Sequence, residues 1–168
     1  MNNEAQKWIK HLSLKPHPEG GFFANTYTAD EKILKNALPD RYSGDRSFST
    51  GIYFLIGSEN FSALHRLKSD EMWHFYDGES LTVHVFDENG KYSPIHLGRN
   101  IEKGEKLQAV VKAGDIFGAS IESPDAYSLV GCTVAPGFQF EDFELMKRAP
   151  LIEKYPEHKV LIEKLTRI

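Results

Sequence analysis

His65 and Glu71 are the two residues of this chain best arranged to do chemistry together. They fall on successive β-prone runs, 61–66 and 71–76, among apolar neighbours. Side chains alternate across a strand, so Phe61, Ala63 and His65 share one face, and Glu71, Trp73, Phe75 and Asp77 share another. An inward-facing carboxylate is costly unless paired, and His65 is a natural partner for Glu71. Such a pair can serve acid–base chemistry or bind a metal in a ligand cavity. It can equally be a satisfied structural pair in an ordinary core. Trp73 and Phe75 on the glutamate's face offer an apolar wall against which a sugar or nucleobase can stack.

These side chains need strands to carry them, and the chain is rich in strand signals. β-prone runs recur at 47–56, 61–66, 71–76, 81–86, 92–97, 107–111, 116–121 and 126–134. Most are separated by turn residues, such as Asp87-Glu88-Asn89-Gly90 and Ala113-Gly114-Asp115. Short strands at this spacing predict a sandwich or closed barrel rather than a parallel α/β sheet. Ahead of them, Ala5, Trp8, Ile9 and Leu12 carry helical periodicity, with Asn2 or Asn3 as the cap. Pro16 and Pro18 end that helix, and Gly20-Gly21 turns the chain into an extended segment over 22–28. Residues 29–45 are polar and aperiodic and read as a loop or mobile insertion. After Pro136-Gly137 an aromatic-acidic stretch leads to two short helices, 151–154 and 157–165. Their Val160, Leu161, Ile162 and Leu165 can lie across the barrel. The expected organisation is one domain over 1–168: a helix at about 3–13, a barrel at about 20–135 and a helical tail at about 145–166.

Composition narrows the function classes. The 168 residues include 11 Phe, 7 Tyr and 2 Trp, and the net charge is -4. An acidic balance argues against a general nucleic-acid binder, which needs a basic stripe. The single cysteine, Cys132, rules out an intrachain disulfide framework and suits a reducing compartment. With no long apolar run and a polar start, the expectation is a cytoplasmic protein without a membrane partner.

The spacing of His65, Glu71 and Gly78 resembles the first motif of the cupin superfamily, G-x5-H-x-H-x3-4-E-x6-G, with Leu67 at the second histidine position. Residues 112–121 resemble the second motif, with Lys112 for its proline, Phe117 for its histidine and Ile121 for its asparagine. Three further segments, 16–22, 69–75 and 129–138, look like those of a family of small uncharacterised cupins similar in fold to the sugar-nucleotide 3,5-epimerases. The resemblance implies an all-β fold, a double-stranded β-helix or jelly-roll barrel, and a homodimer. Metal-dependent cupins use three histidines and a carboxylate. Two of those positions are apolar here, so no bound metal or other cofactor is expected.

Three functions follow from the resemblance. In the first, the protein is a metal-independent epimerase or isomerase acting on a sugar or sugar-nucleotide-like ligand. His65 would be its base, Tyr53 or Tyr76 its acid, and Glu71 would hold the imidazole tautomer. Glu19, Trp73, Phe75 and Phe117 would line the ligand, and Arg66 or Arg46 would meet a phosphate. In the second, the barrel binds a small ligand without turnover, with Glu19, His65 and Glu71 as anchors. The third is a metal-dependent oxygenase, decarboxylase or isomerase. Glu19 and His17 read either as groups at the barrel mouth or as members of a turn salt bridge. Asp142 reads as a carboxylate at the cavity rim or as a solvated loop residue. Cys132 reads as a small core residue, and His84 and His96 as outward-facing strand residues.

Overall fold

A computed structural model describes residues 2–167. The chain opens with helix α1 (Asn3–His11), whose first turn is capped by the Asn2 side chain accepting from the Ala5 amide at 2.9 Å. The strands follow in order as β1 (Lys15–Pro16), β2 (Phe22–Thr28), β3 (Lys32–Ile33), β4 (Arg46–Ser47), β5 (Thr50–Gly57), β6 (Ser62–Leu67) and β7 (Asp70–Gly78). They continue with β8 (Leu81–Phe86), β9 (Tyr92–Leu97), β10 (Gln108–Val111), β11 (Ile116–Ser120), β12 (Tyr127–Ala135) and β13 (Phe143–Leu145). Helices α2 (Arg148–Lys154) and α3 (Lys159–Lys164) close the chain.

Two antiparallel sheets face each other. One runs β1-β2-β5-β12-β7-β10 and the other β13-β6-β11-β8-β9. The main core lies between them and includes Phe54, Ile56, Trp73, Val83, Phe117 and Val130. The period-2 pattern is therefore read correctly for β7: Glu71, Trp73 and Phe75 are buried, while Met72 and Tyr76 are exposed.

Two further clusters cover the outer sheet faces. Helix α1 lays Ala5, with Trp8, Ile9 and Leu12, over Leu55 and Leu129 of the six-stranded sheet. The C-terminal helices lay Leu151, Tyr155, Ile162 and Leu165 over Leu64, Phe86 and Ile116 of the other. This accounts for strands apolar on both faces, such as β8, which is buried throughout. Val160, expected in the apolar face of the tail, is instead 80% exposed, because a 3-10 turn at Pro156–His158 offsets α3 from α2.

The segment 29–45 is not a free insertion. Tyr42 is 1% exposed, and its hydroxyl bonds the Ser69 hydroxyl at 2.8 Å and the Lys68 carbonyl at 3.0 Å. Strands β3 and β4 pair to form a small ribbon at its ends. Isolated polarity does not reveal this anchoring, since one buried aromatic supplies it. His84 does lie on the outer side of its sheet, yet it is buried between the Tyr92 hydroxyl at 2.8 Å and Ser120 Oγ at 2.9 Å. Burial pushes its pKa down to about 4, so it packs as a neutral ring.

Candidate functional site

A cavity of about 280 Å³ opens between the two sheets. Its polar floor is built from three places in the chain. The turn between β1 and β2 delivers His17 and Glu19, β6 delivers His65, and β7 delivers Glu71. That turn needs its glycines. Gly20 (φ 116°) and Gly21 (φ 71°) lie in the left-handed region, and a Cβ on Gly20 would collide with the Phe61 carbonyl. The close approach lets the Ala63 amide donate to the Glu19 carbonyl at 2.9 Å, which ties the turn to β6.

His65 and Glu71 come from facing sheets and line the same cavity, but they do not satisfy one another. His65 Nδ1 is 2.7 Å from the Ala63 carbonyl, which can only accept, so Nδ1 carries a proton. Its Nε2 lies 3.4 Å from Glu19 Oε2, an ion-pair distance longer than a normal hydrogen bond. Glu19 Oε1 accepts from Ser62 Oγ at 2.7 Å, and Oε2 is 3.5 Å from His17 Nδ1. Glu71 instead accepts from the Trp73 indole N–H at 3.0 Å. The tautomer-holding role expected for Glu71 therefore belongs to a backbone carbonyl, and the imidazole's carboxylate partner is Glu19.

The electrostatics follow from burial. Glu71 is pushed up to about 8 by loss of solvent and by the negative charge of Glu19, with hydrogen bonds from Trp73 and Cys132 pulling it partly back. It is therefore a neutral acid at pH 7. The Cys132 thiol is raised further by burial and by the same two glutamates. His17 is lowered, chiefly by burial, against the pull of Glu19.

The walls are aromatic. Phe23, Phe54 and Trp73 project from the six-stranded sheet, while Phe138, Phe140 and Phe143 come from the strap that follows β12. The strap is held from behind by Arg46. This guanidinium is 1% exposed and grips Asp142 through Nε at 2.6 Å and Nη2 at 2.7 Å, with Glu141 at 2.6 Å. Asp142 is thus a buried anchor rather than a solvated loop residue.

Other expected site residues lie elsewhere. Tyr53 sits on the outer face of its sheet with the α1 cluster, and Tyr76 packs against it there, 5.9 Å between ring centroids. Even positions on β7 face outward, so neither phenol reaches the cavity. Phe75 is buried with Arg99 over its ring, facing a separate surface pocket with Arg99 and Glu79, and it does not line the cavity. Phe117 lies behind the lining, its ring 4.1 Å from that of His65. Arg66 points outward to Glu144 at 2.7 Å, and Arg46 is occupied by Asp142, so neither is aimed at a ligand phosphate. The strap phenylalanines and Phe54 were missed as lining. The signal available was the density of aromatics in 138–143, more than a solvated loop can carry.

The donors do not fit a cupin metal. Among the described residues no group of three or more His, Cys, Asp or Glu side chains is arranged to hold an ion. Leu67 lines the cavity where the second motif histidine would stand, and Phe117 replaces the histidine of the second motif. The remaining carboxylates are engaged by Ser62 and Trp73.

No helix among the described residues is long and apolar enough to cross a membrane. No curated protein matches the chain. Among solved structures, a protein from Shewanella oneidensis is 40% identical, with a TM-score of 0.88 and 99% of both chains covered. A hypothetical protein from Leishmania major is 37% identical with a TM-score of 0.88, over 98% of this chain and 99% of that one. Oxalate decarboxylase from Bacillus subtilis shares the fold at 14% identity and a TM-score of 0.52, over 89% of this chain and 36% of that one. The family model described as cupin superfamily (DUF985) matches residues 6–146, and with the two-sheet barrel and its motif remnants it places this chain in that family of cupins.

Proposed function

We propose that this cupin moves protons on a small ligand held in the aromatic cavity, acting as a metal-independent isomerase or epimerase. The observation that carries this reading is the fixed imidazole. With Nδ1–H committed to the Ala63 carbonyl, the lone pair of the ring falls at Nε2 whenever the imidazole gives up its second proton, within the cavity and beside Glu19. Nε2 can take a proton from a carbon next to a carbonyl, and Glu19 then stabilises the imidazolium that forms. Glu71, protonated near neutral pH, supplies a proton to the other face or to the neighbouring carbon. It takes the acid role that the sequence offers to Tyr53 or Tyr76. One proton leaves carbon and one returns, so the exchange needs no redox partner.

Native mass spectrometry of untreated protein identifies a retained ligand, and incubation of that ligand in D2O tests turnover. Deuterium uptake should fall by about 10²–10⁴ in His65→Asn, the range of acid–base catalysis. Uptake unchanged by that substitution would refute the assignment. A second reading, ligand binding without turnover, draws on the apolar surface that the Phe and Trp rings, with Ile52, Leu67 and Val134, give the lining. It is favoured if ligand is retained and no exchange occurs.

A further inference from the structure

Apart from the imidazoles and the Cys132 thiol, the ionisable side chains lining the cavity are carboxyls. Glu19 and Glu71 are its acids, His17 and His65 its imidazoles, and no lysine or arginine is found among the described lining residues. The cations around it are committed elsewhere: Arg46 and Lys68 to Asp142, Arg66 to Glu144, and Arg167 to the Glu19 and Phe61 carbonyls and the Asn60 side chain. From this arrangement we infer that the cavity takes a small organic cation, an amine or quaternary ammonium on an apolar body. Its charged head is received by Glu19 and Glu71, and its body by Trp73 and the strap phenylalanines. The inference rests on the second reading of this cavity, binding without turnover, since a cation that draws the proton from Glu71 leaves it unable to act as the acid, and it replaces a nucleotide diphosphate with a ligand of the opposite charge.

An anion entering here loses its water beside two carboxyl groups and gains no guanidinium or ammonium partner. A cation gains both the carboxylates and the negative faces of the surrounding rings. The buried acids already show the imbalance, since the charge of Glu19 raises both Glu71 and Cys132. The groups facing Glu71 are Glu19 and His17 from the turn, His65 from β6, Trp73 on its own strand and Cys132 on β12. A bound ammonium favours the carboxylate at this position, so the Glu71 O–H bond breaks and the proton passes to solvent.

Titration calorimetry of the full chain at pH 7 with benzylamine, benzyl alcohol and benzoate tests this. Benzylamine should bind at least tenfold more tightly than the other two. Its heat should reveal proton release when two buffers of different ionisation enthalpy are compared. Glu71→Gln should weaken benzylamine at least fivefold more than it changes benzyl alcohol; Glu19→Gln provides the same comparison should the first variant not fold. Equal or tighter binding of benzoate or benzyl alcohol overturns the charge preference while leaving the cavity a ligand site. Failure of all three probes to bind also overturns it, and the native-ligand measurement then decides separately whether the cavity is a site at all.

Discussion

Glutamine in place of Glu71 should abolish a specific pH dependence of stability. In the folded chain the carboxyl titrates at about 8 rather than at its ordinary 4.5, mainly because it is buried and only 8% exposed. A raised carboxyl contributes fully below the unfolded value, where both states hold the proton. As pH climbs, the unfolded chain ionises while the folded one cannot, so stability declines from about pH 4.5 and levels off above about pH 8. At roughly 1.4 kcal/mol per pH unit, the full displacement corresponds to about 5 kcal/mol. Glutamine matches the shape, keeps an oxygen for the Trp73 indole and has no proton to lose. Urea unfolding of both proteins from pH 4.5 to 9, followed by tryptophan fluorescence, isolates the effect, because other titrating groups cancel in the difference. The variant should gain on the parent steadily across that range, by several kcal/mol. Parallel curves would refute the claim that Glu71 is held neutral by its surroundings.

Arg46→Met leaves Asp142 buried without its guanidinium and should cost about 3–5 kcal/mol in denaturant unfolding, with Lys68 recovering part of it. A loss under 1 kcal/mol would show that the strap is not held by this pair. Ile162→Ala opens a cavity under α3, where the side chain is fully buried, and should cost about 2–5 kcal/mol by the same measurement. The exposed Met72, Tyr76 and Val110 on the outer face of β7 and β10 suit a second copy of the chain, so light scattering should give twice the 19.1 kDa chain mass. A concentration-independent monomer would count against a homodimer.

The strands were legible because each carries its own alternation and turn residues. Runs 81–86 and 92–97 coincide with β8 and β9, and α1 carries the expected Asn2 cap. Strand β13 was not foreseen. Phe143, Glu144 and Leu145 become a strand only by pairing with β6, a partner distant in sequence. The anchoring of the 29–45 loop was hidden for the same reason, since Tyr42, and Arg46 just after the segment, gain their partners from 68–69 and 141–142.

His65 and Glu71 could be assigned to inward faces from parity alone, because a strand's geometry is local. Their partners could not. Whether an imidazole meets Glu71, Glu19 or a backbone carbonyl depends on how the 17–21 turn closes over β6 and on which sheet each strand joins. The exclusion of Tyr53 and Tyr76 was likewise decided by which side of the six-stranded sheet faces the other sheet. Local periodicity states which residues travel together. Only the packing of the two sheets, which brings distant segments to one point, determines what they meet and therefore how acidic or basic they are.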